Sequence, residues 1–147
     1  MRELSAGLTI ARPIDEVFEY VADYRHVPEV MEGVRSWRPL GRQARGKGAR
    51  YRVELDAAHL TLNAVLRITA WEPPRAIAWT AESAPVKNEG KWHFSPGQDG
   101  TDVELAVAYD PPGGIFGDFV ARGVERLLEG RIRNALEGMK RAIERAA

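Results

Sequence analysis

The sequence has no cysteine, which excludes disulfides, thiol nucleophiles and thiolate-bound metal together. Histidine is almost as scarce. His26, His59 and His93 are the three present, and their scatter along the chain does not suggest a metal site, so neither metal nor cofactor is expected. Charge of one sign is missing too: 21 Lys and Arg balance 21 Asp and Glu, so no overall field draws the chain to nucleic acid. No apolar run approaches the ~20 residues of a membrane span, and Met1-Arg2-Glu3 lacks a signal-peptide core. A soluble cytoplasmic protein without a membrane anchor is the expectation, as monomer or homodimer. Also lacking are a Ser-His-Asp order, a phosphate-cradling glycine loop and a metal-ligand cluster.

The chain of 147 residues is the size of one domain and long enough to bury a real core. No repeat, low-complexity tract or linker divides it, so residues 1–147 are read as a single domain. Its organising stretch is the last. After Asp110-Pro111-Pro112-Gly113-Gly114, residues 115–147 contain no proline and carry apolar residues at spacings of three and four, the pattern of one long helix. At 100° per residue the early apolar group (Phe116, Val120, Val124, Leu127) and the late group (Leu128, Ile132, Met139, Ile143) differ by roughly a third of a turn. The two halves therefore face different neighbours. Gly123, Gly130 and Gly138 each cost ~1 kcal/mol relative to alanine in a helix interior, which calls for a reason: close packing on a sheet, a bend, or a cavity. Glu129, Arg133, Glu137 and Arg141 recur at intervals of four on the outer side and are expected to form a ladder of ion pairs.

Before that helix the chain reads as strands and turns. Residues 4–10 alternate loosely as a first strand, and residues 14–23 form a short helix. Pro13 is expected at its first helical position, Asp15 and Glu16 complement its positive end, and Val17, Phe18, Tyr20 and Val21 make its buried side. A further turn of helix is expected over 28–32. Short strands follow over 34–40, 49–55, 59–71, 76–81, 90–94 and 103–109, separated by Gly46-Lys47-Gly48, Glu72-Pro73-Pro74-Arg75 and Pro96-Gly97-Gln98-Asp99-Gly100. Strict alternation in these segments implies an antiparallel sheet with one dry and one wet face. Arg50, Arg52, Glu54, Arg67, Lys91, Asp102 and Glu104 belong to the wet face, where opposite charges on different strands can pair.

The order of elements, together with Pro13-Ile14-Asp15-Glu16-Val17-Phe18-Glu19-Tyr20-Val21-Ala22-Asp23 and Pro28, Trp71-Glu72-Pro73-Pro74-Arg75, Gly90-Lys91-Trp92-His93-Phe94-Ser95-Pro96, Asp99-Gly100-Thr101 and the link Tyr109-Asp110-Pro111-Pro112-Gly113-Gly114, resembles the START-like (SRPBCC) superfamily, and within it the polyketide cyclase/dehydrase and lipid transport group. The resemblance implies an α+β helix-grip fold, as in Bet v 1-like proteins: a curved antiparallel sheet around a long C-terminal helix, with two short helices after the first strand. It also implies a cavity between sheet and helix that takes an apolar small molecule. On the dry face and the early helix face, Tyr51, Val53, Leu62, Ala64, Trp79, Trp92, Tyr109, Phe116, Phe119 and Val120 would line it, a mostly apolar wall with a few polar tips. Arg131 and Asn134 lie where the early stripe continues and are candidate polar handles. Residues 112–117, glycines around Ile115 and Phe116, are a candidate gate.

Fold does not settle function. The expected role is binding or carriage of a hydrophobic molecule such as a lipid, isoprenoid quinone or polyketide-like aromatic. A cyclase or dehydratase is the alternative from the enzyme class, and it would need an acid or base facing the pocket, for which Tyr51, Tyr109 and His59 are the candidates. A protein-interaction or membrane-associated regulatory module is the third possibility.

Overall fold

The computed structural model describes residues 1–57, 60–110 and 117–146. Among these, β1 (Arg2–Ile10), β2 (Val34–Pro39), β3 (Arg50–Ala57), β4 (Leu60–Glu72), β5 (Ala76–Ser83), β6 (Asn88–Gly97) and β7 (Gly100–Tyr109) form one antiparallel sheet in the order β1-β7-β6-β5-β4-β3-β2. Strands β1 and β2 are its two edges. The chain passes from one edge to the other through α1 (Ile14–Ala22), a 3-10 turn (Tyr24–His26) and α2 (Val27–Val30), and β7 is followed by α3 (Gly117–Arg145). This is the curved half-barrel with a long C-terminal helix expected of a helix-grip fold. Register shifts at Val34/Ser36 in β2–β3, and at Val65/Leu66 and Ile68/Ala70 in β4–β5, supply bulges that bend such a sheet.

Local chemistry sets the short helices. Val17 and Phe18 are buried on α1, while Asp15 and Glu16 complement its N-terminus. Pro13 is not the first helical residue: with ψ 150° it is the extended cap, and Ile14 begins the helix. The proline fixes φ and leaves ψ free, so it suits either position. Asp23 starts the 3-10 turn by accepting from the Arg25 backbone N–H at 3.0 Å. The Arg25 guanidinium also donates to its carboxylate, which holds the Asp23 pKa down at about 2.

One end of the half-barrel is packed solid. Phe18 of α1 meets Trp71 and Phe94 edge-on at centroid distances of 5.5 and 5.8 Å. Around them Ile10, Val17, Ala49, Tyr51, Ile68, Ile77, Val103 and Leu105 are buried together with Ile132, Leu136, Met139 and Ile143 of α3, so the late stripe of the helix seals this end. A polar clamp holds it in register. Glu144 accepts from the Ala11 backbone N–H at 2.8 Å and from Lys140 Nζ at 2.7 Å. Lys140 Nζ also donates to Thr9 O, and Arg12 Nη2 to Glu144 O.

On the convex face Arg50 stands directly opposite Arg67 across β3–β4, an unfavourable pairing of like charges. Glu82 relieves it, accepting from Arg50 Nη2 at 2.7 Å and lying 3.8 Å from Arg67 Nε. Arg35 likewise pairs with Glu54 and Asp56. The expected ladder on α3 does not form. Glu129, Arg133, Glu137 and Arg141 are exposed, and the α3 partners recorded among the described residues are Lys140 with Glu144 and Arg2 with Glu125. Isolated surface pairs gain little over hydration, so nothing holds the ladder together.

Glycine is required where Trp79 crosses β6. Gly90 faces Trp79 across β5–β6, and a Cβ at residue 90 would overlap the indole ring. Gly90→Ala is predicted to cost about 1–3 kcal/mol of stability through displacement of that ring, read as a lower urea midpoint at unchanged slope. The clamp makes a second prediction. The Ala11 N–H and Lys140 hold the Glu144 pKa below its ordinary 4.5. A depressed folded value means a contribution fully present above pH 4.5 and lost as the pH falls through the folded value. Glu144→Gln should therefore lower the melting temperature at pH 7 and narrow the gap to the parent as the solution is made acidic.

Candidate ligand-binding site

Burial on the concave face changes in the same direction along the strands. In β7 Val103 and Leu105 are buried and Val107 is half-buried, with Tyr109 buried again at the strand end; in β1 the order is Ile10, then Leu8, Ala6 and Leu4. On β6 burial falls from Phe94 to Trp92, on β5 from Ile77 to Trp79 and Ala81, on β4 from Ile68, Leu66 and Ala64 to Leu62, and on β3 from Tyr51 and Val53 to Leu55. The packed end lies under α1. Away from it, the wall is apolar, aromatic and incompletely covered. Register pairs Trp79 with Ile68 and Gly90, Ile77 with Trp92, and Trp92 with Leu105, so the two indoles lie on neighbouring strands of this wall. Trp92 also stacks on Phe94 at 6.2 Å and 3°, which fixes its plane.

The ten residues named from the sequence divide accordingly. Leu62, Trp79 and Trp92 are on the half-buried wall, and Val53 and Ala64 face each other within the buried part. Phe116 lies outside the described residues, as do His59 and residues 112–116 of the candidate gate; of the Phe119 and Val120 side chains, which belong to α3, nothing is described. Leu4, Leu55, Ala81 and Val107 complete the wall and went unnamed as site residues. Alternation does place Leu4, Leu55 and Val107 on the dry face; it cannot tell which dry residues are left uncovered.

The two tyrosines differ. Tyr51 is 3% exposed, its ring lies 5.8 Å from Tyr24 and 5.9 Å from Trp37, and its hydroxyl donates to Ala44 O at 2.5 Å. It ties the β2–β3 loop to the core. Tyr109 is 2% exposed on the same face as Val107, and its Oη has no hydrogen-bond partner among the described residues. Burial pushes both phenols above their ordinary pKa; at Tyr109 the Glu125 carboxylate adds to the effect. Both stay protonated at neutral pH and can donate a hydrogen bond, and neither is a base there. Next to Tyr109 in register, Asn88 accepts from Trp79 Nε1 at 3.4 Å.

Arg131 serves the scaffold. Its Nη2 donates to Asp56 O at 2.7 Å, and its guanidinium lies where a Cβ on Gly33 would meet it at 2.8 Å. Gly33 has φ +88°, so glycine suits that position twice over. Asn134 is exposed, and so is Leu127, at 38%. As for the helix glycines, a Cβ at Gly123 or Gly130 would meet nothing within 4 Å. Close packing against the described residues therefore does not explain them; Gly123 is exposed and Gly130 half-exposed. Gly138 is different, with Val30 of α2 3.8 Å from where its Cβ would be. Two depressions of about 290 and 480 Å³ open on the convex face, the first beside His93 and Asp102, the second beside Glu89 and Lys91. His93 is exposed there, as alternation requires. Among the described residues no group of three or more His, Asp and Glu could hold a metal ion, and no helix is long and apolar enough to cross a membrane.

A curved antiparallel half-barrel with a long C-terminal helix and two short helices after the first strand defines the helix-grip class of folds. The chain belongs to the polyketide cyclase/dehydrase and lipid transport family, whose model matches residues 1–144. Among solved structures it is similar to the protein TTHA0849 of Thermus thermophilus, with a TM-score of 0.86, 22% identity and 99% of each chain covered. The Zhui aromatase/cyclase of a Streptomyces species gives 0.82 and 22%, covering 98% of this chain and 94% of that one. A START superfamily protein of Mycobacterium smegmatis gives 0.77 and 16%, covering 96% and 98%. At these identities the likeness is one of fold. No protein of curated function matches the sequence.

The tyrosine assignment is directly testable. Tyr51→Phe removes the donor to Ala44 O and should destabilise the protein by about 0.5–1.5 kcal/mol in chemical denaturation. No change would mean that the hydroxyl is equally well placed in water.

Proposed function

We propose that the protein binds or carries a hydrophobic small molecule between the half-buried wall of the sheet and α3. The observation that carries this reading is the common loss of burial along β1, β3, β4, β5 and β6, shared by β7 as far as Val107, beyond which Tyr109 is buried again. Apolar side chains are normally covered because exposure costs ~25 cal/mol per Å². A single loose residue is unremarkable. Leu4, Leu55, Leu62, Trp79, Trp92 and Val107 together, all half-covered on one concave surface, make a surface that an apolar ligand would complete. Membership of a family described by cyclisation and lipid transport supports the same direction.

Carriage is favoured over base-driven cyclisation by the chemistry of the described candidates, His59 lying outside them. Enolising a carbonyl takes a base near neutrality. The two tyrosines considered for that role have raised pKa values, so they suit holding an oxygen more than removing a proton.

Binding is tested with an apolar fluorophore such as a fluorescent fatty acid or a quinone, titrated against the parent and two single variants of β4. Leu62 points to the wall and Thr61, its exposed neighbour, to the convex face. Leu62→Trp should weaken binding roughly tenfold, about 1.4 kcal/mol, and Thr61→Trp should leave it unchanged. Equal effects of both, or no binding by the parent, would contradict a ligand on this wall.

A further inference from the structure

We infer that Tyr109 is the polar anchor of the ligand, donating a hydrogen bond from Oη to a neutral carbonyl oxygen, so that the preferred ligand is an apolar ketone, quinone or ester. This rests on the carriage reading and sharpens it. A buried hydroxyl without a partner is costly, and native structures rarely leave one so. Tyr109 is 2% exposed, with Oη wholly covered and unpartnered among the described residues, although its register partners are polar. Asn88, its register partner on β6, spends its amide N–H on Val86 O at 3.0 Å and its oxygen on Trp79 Nε1. Arg2, its register partner on β1, is committed to Glu125 at 3.1 Å. The hydroxyl is thus the group of this set that is wholly covered and makes no hydrogen bond at all among the described residues, whereas Arg2 and Asn88 each make at least one.

Its setting also selects the ligand's charge. Tyr109 shares the concave face with Val107, Leu105 and Trp92, and the acidic groups closest to it in effect are Glu125 and Glu129 of α3, with Arg2 opposing them. Arg2 is already paired with Glu125. A ligand carboxylate brought to Oη would add to the charge of Glu125 and Glu129, against which the set has the single cation Arg2. A carbonyl oxygen accepts the same hydrogen bond with no such repulsion. An apolar body on the tryptophan wall with a carbonyl at the β7 end fits both demands.

The test is displacement of the fluorophore above by decane, 2-decanone and decanoate from the parent and from Tyr109→Phe. Comparing the ketone-to-alkane ratio between the two proteins cancels the difference in hydrophobicity between the ligands. The ratio is expected to fall roughly tenfold in Tyr109→Phe, with decane displacement unchanged and decanoate weaker than the ketone on the parent. The ligand-free variant should melt at the same temperature as the parent or higher, because an unspent buried hydroxyl has been removed. An unchanged ratio with normal fluorophore binding overturns the assignment of Tyr109 and leaves carriage standing; tighter binding of decanoate than of ketone does the same. A lower melting temperature overturns it also, since the hydroxyl would then be satisfied within the protein. Failure of the parent to bind the fluorophore overturns carriage and this anchor together.

Discussion

One helix cannot cover a wide sheet. A helix with its side chains is about 10 Å across, whereas seven strands at about 4.8 Å spacing make a face of roughly 29 Å. The concave side here must therefore be closed by curvature, by other elements, or by something that is not protein. Curvature comes from the bulges in β2–β3 and β4–β5. The other elements are α1 and α2, which the chain places on its way between the two edge strands. Phe18 and Val17 fill the end beneath α1, and the late stripe of α3 completes the closure there. The opposite end receives no comparable filler among the described residues, and its apolar side chains are half-covered. The candidate site follows from this imbalance.

Within that frame, polar groups separate those that fix the scaffold from those that are left over. Glu144, Lys140 and Arg12 fasten the end of α3 to the end of β1, and Arg131 fastens its middle to Asp56 and lies over Gly33. Tyr51 spends its hydroxyl on the β2–β3 loop. Each of these side chains makes a hydrogen bond within the protein, although Arg12 Nε and Arg131 Nε are buried without a hydrogen-bond partner of their own. The Tyr109 hydroxyl makes none among the described residues, and it stands on the same face as the incomplete wall. The two tyrosines thus differ because, among the described residues, the backbone offers an acceptor to Tyr51 and none to Tyr109.

Much of the fold was legible in the sequence because alternation and helical spacing are local signals. The strands, the two short helices and the long terminal helix lie close to where they are expected, and the order of motifs identified the helix-grip architecture. What depends on register was not legible. Arg50 and Arg67 were recognised as wet-face residues, but their neutralising partner Glu82 was missed because β5 runs on to Ser83, beyond the expected end at residue 81. Gly90 looked like a strand start, and its purpose, making way for Trp79, needs the pairing of β5 with β6. The wall itself is partly legible: periodicity assigns Leu62, Trp79 and Trp92 to the dry face. Which dry residues remain uncovered depends on where α1 and α3 rest, and no local pattern encodes that.

The central claim is that an apolar molecule completes the interior. Native mass spectrometry of protein purified without detergent, before and after extraction with organic solvent, tests it most directly. The account predicts a population carrying a small apolar adduct, or taking one up from a lipid or quinone mixture, that reverts to the bare chain mass on extraction. A single bare mass under all these conditions would contradict it.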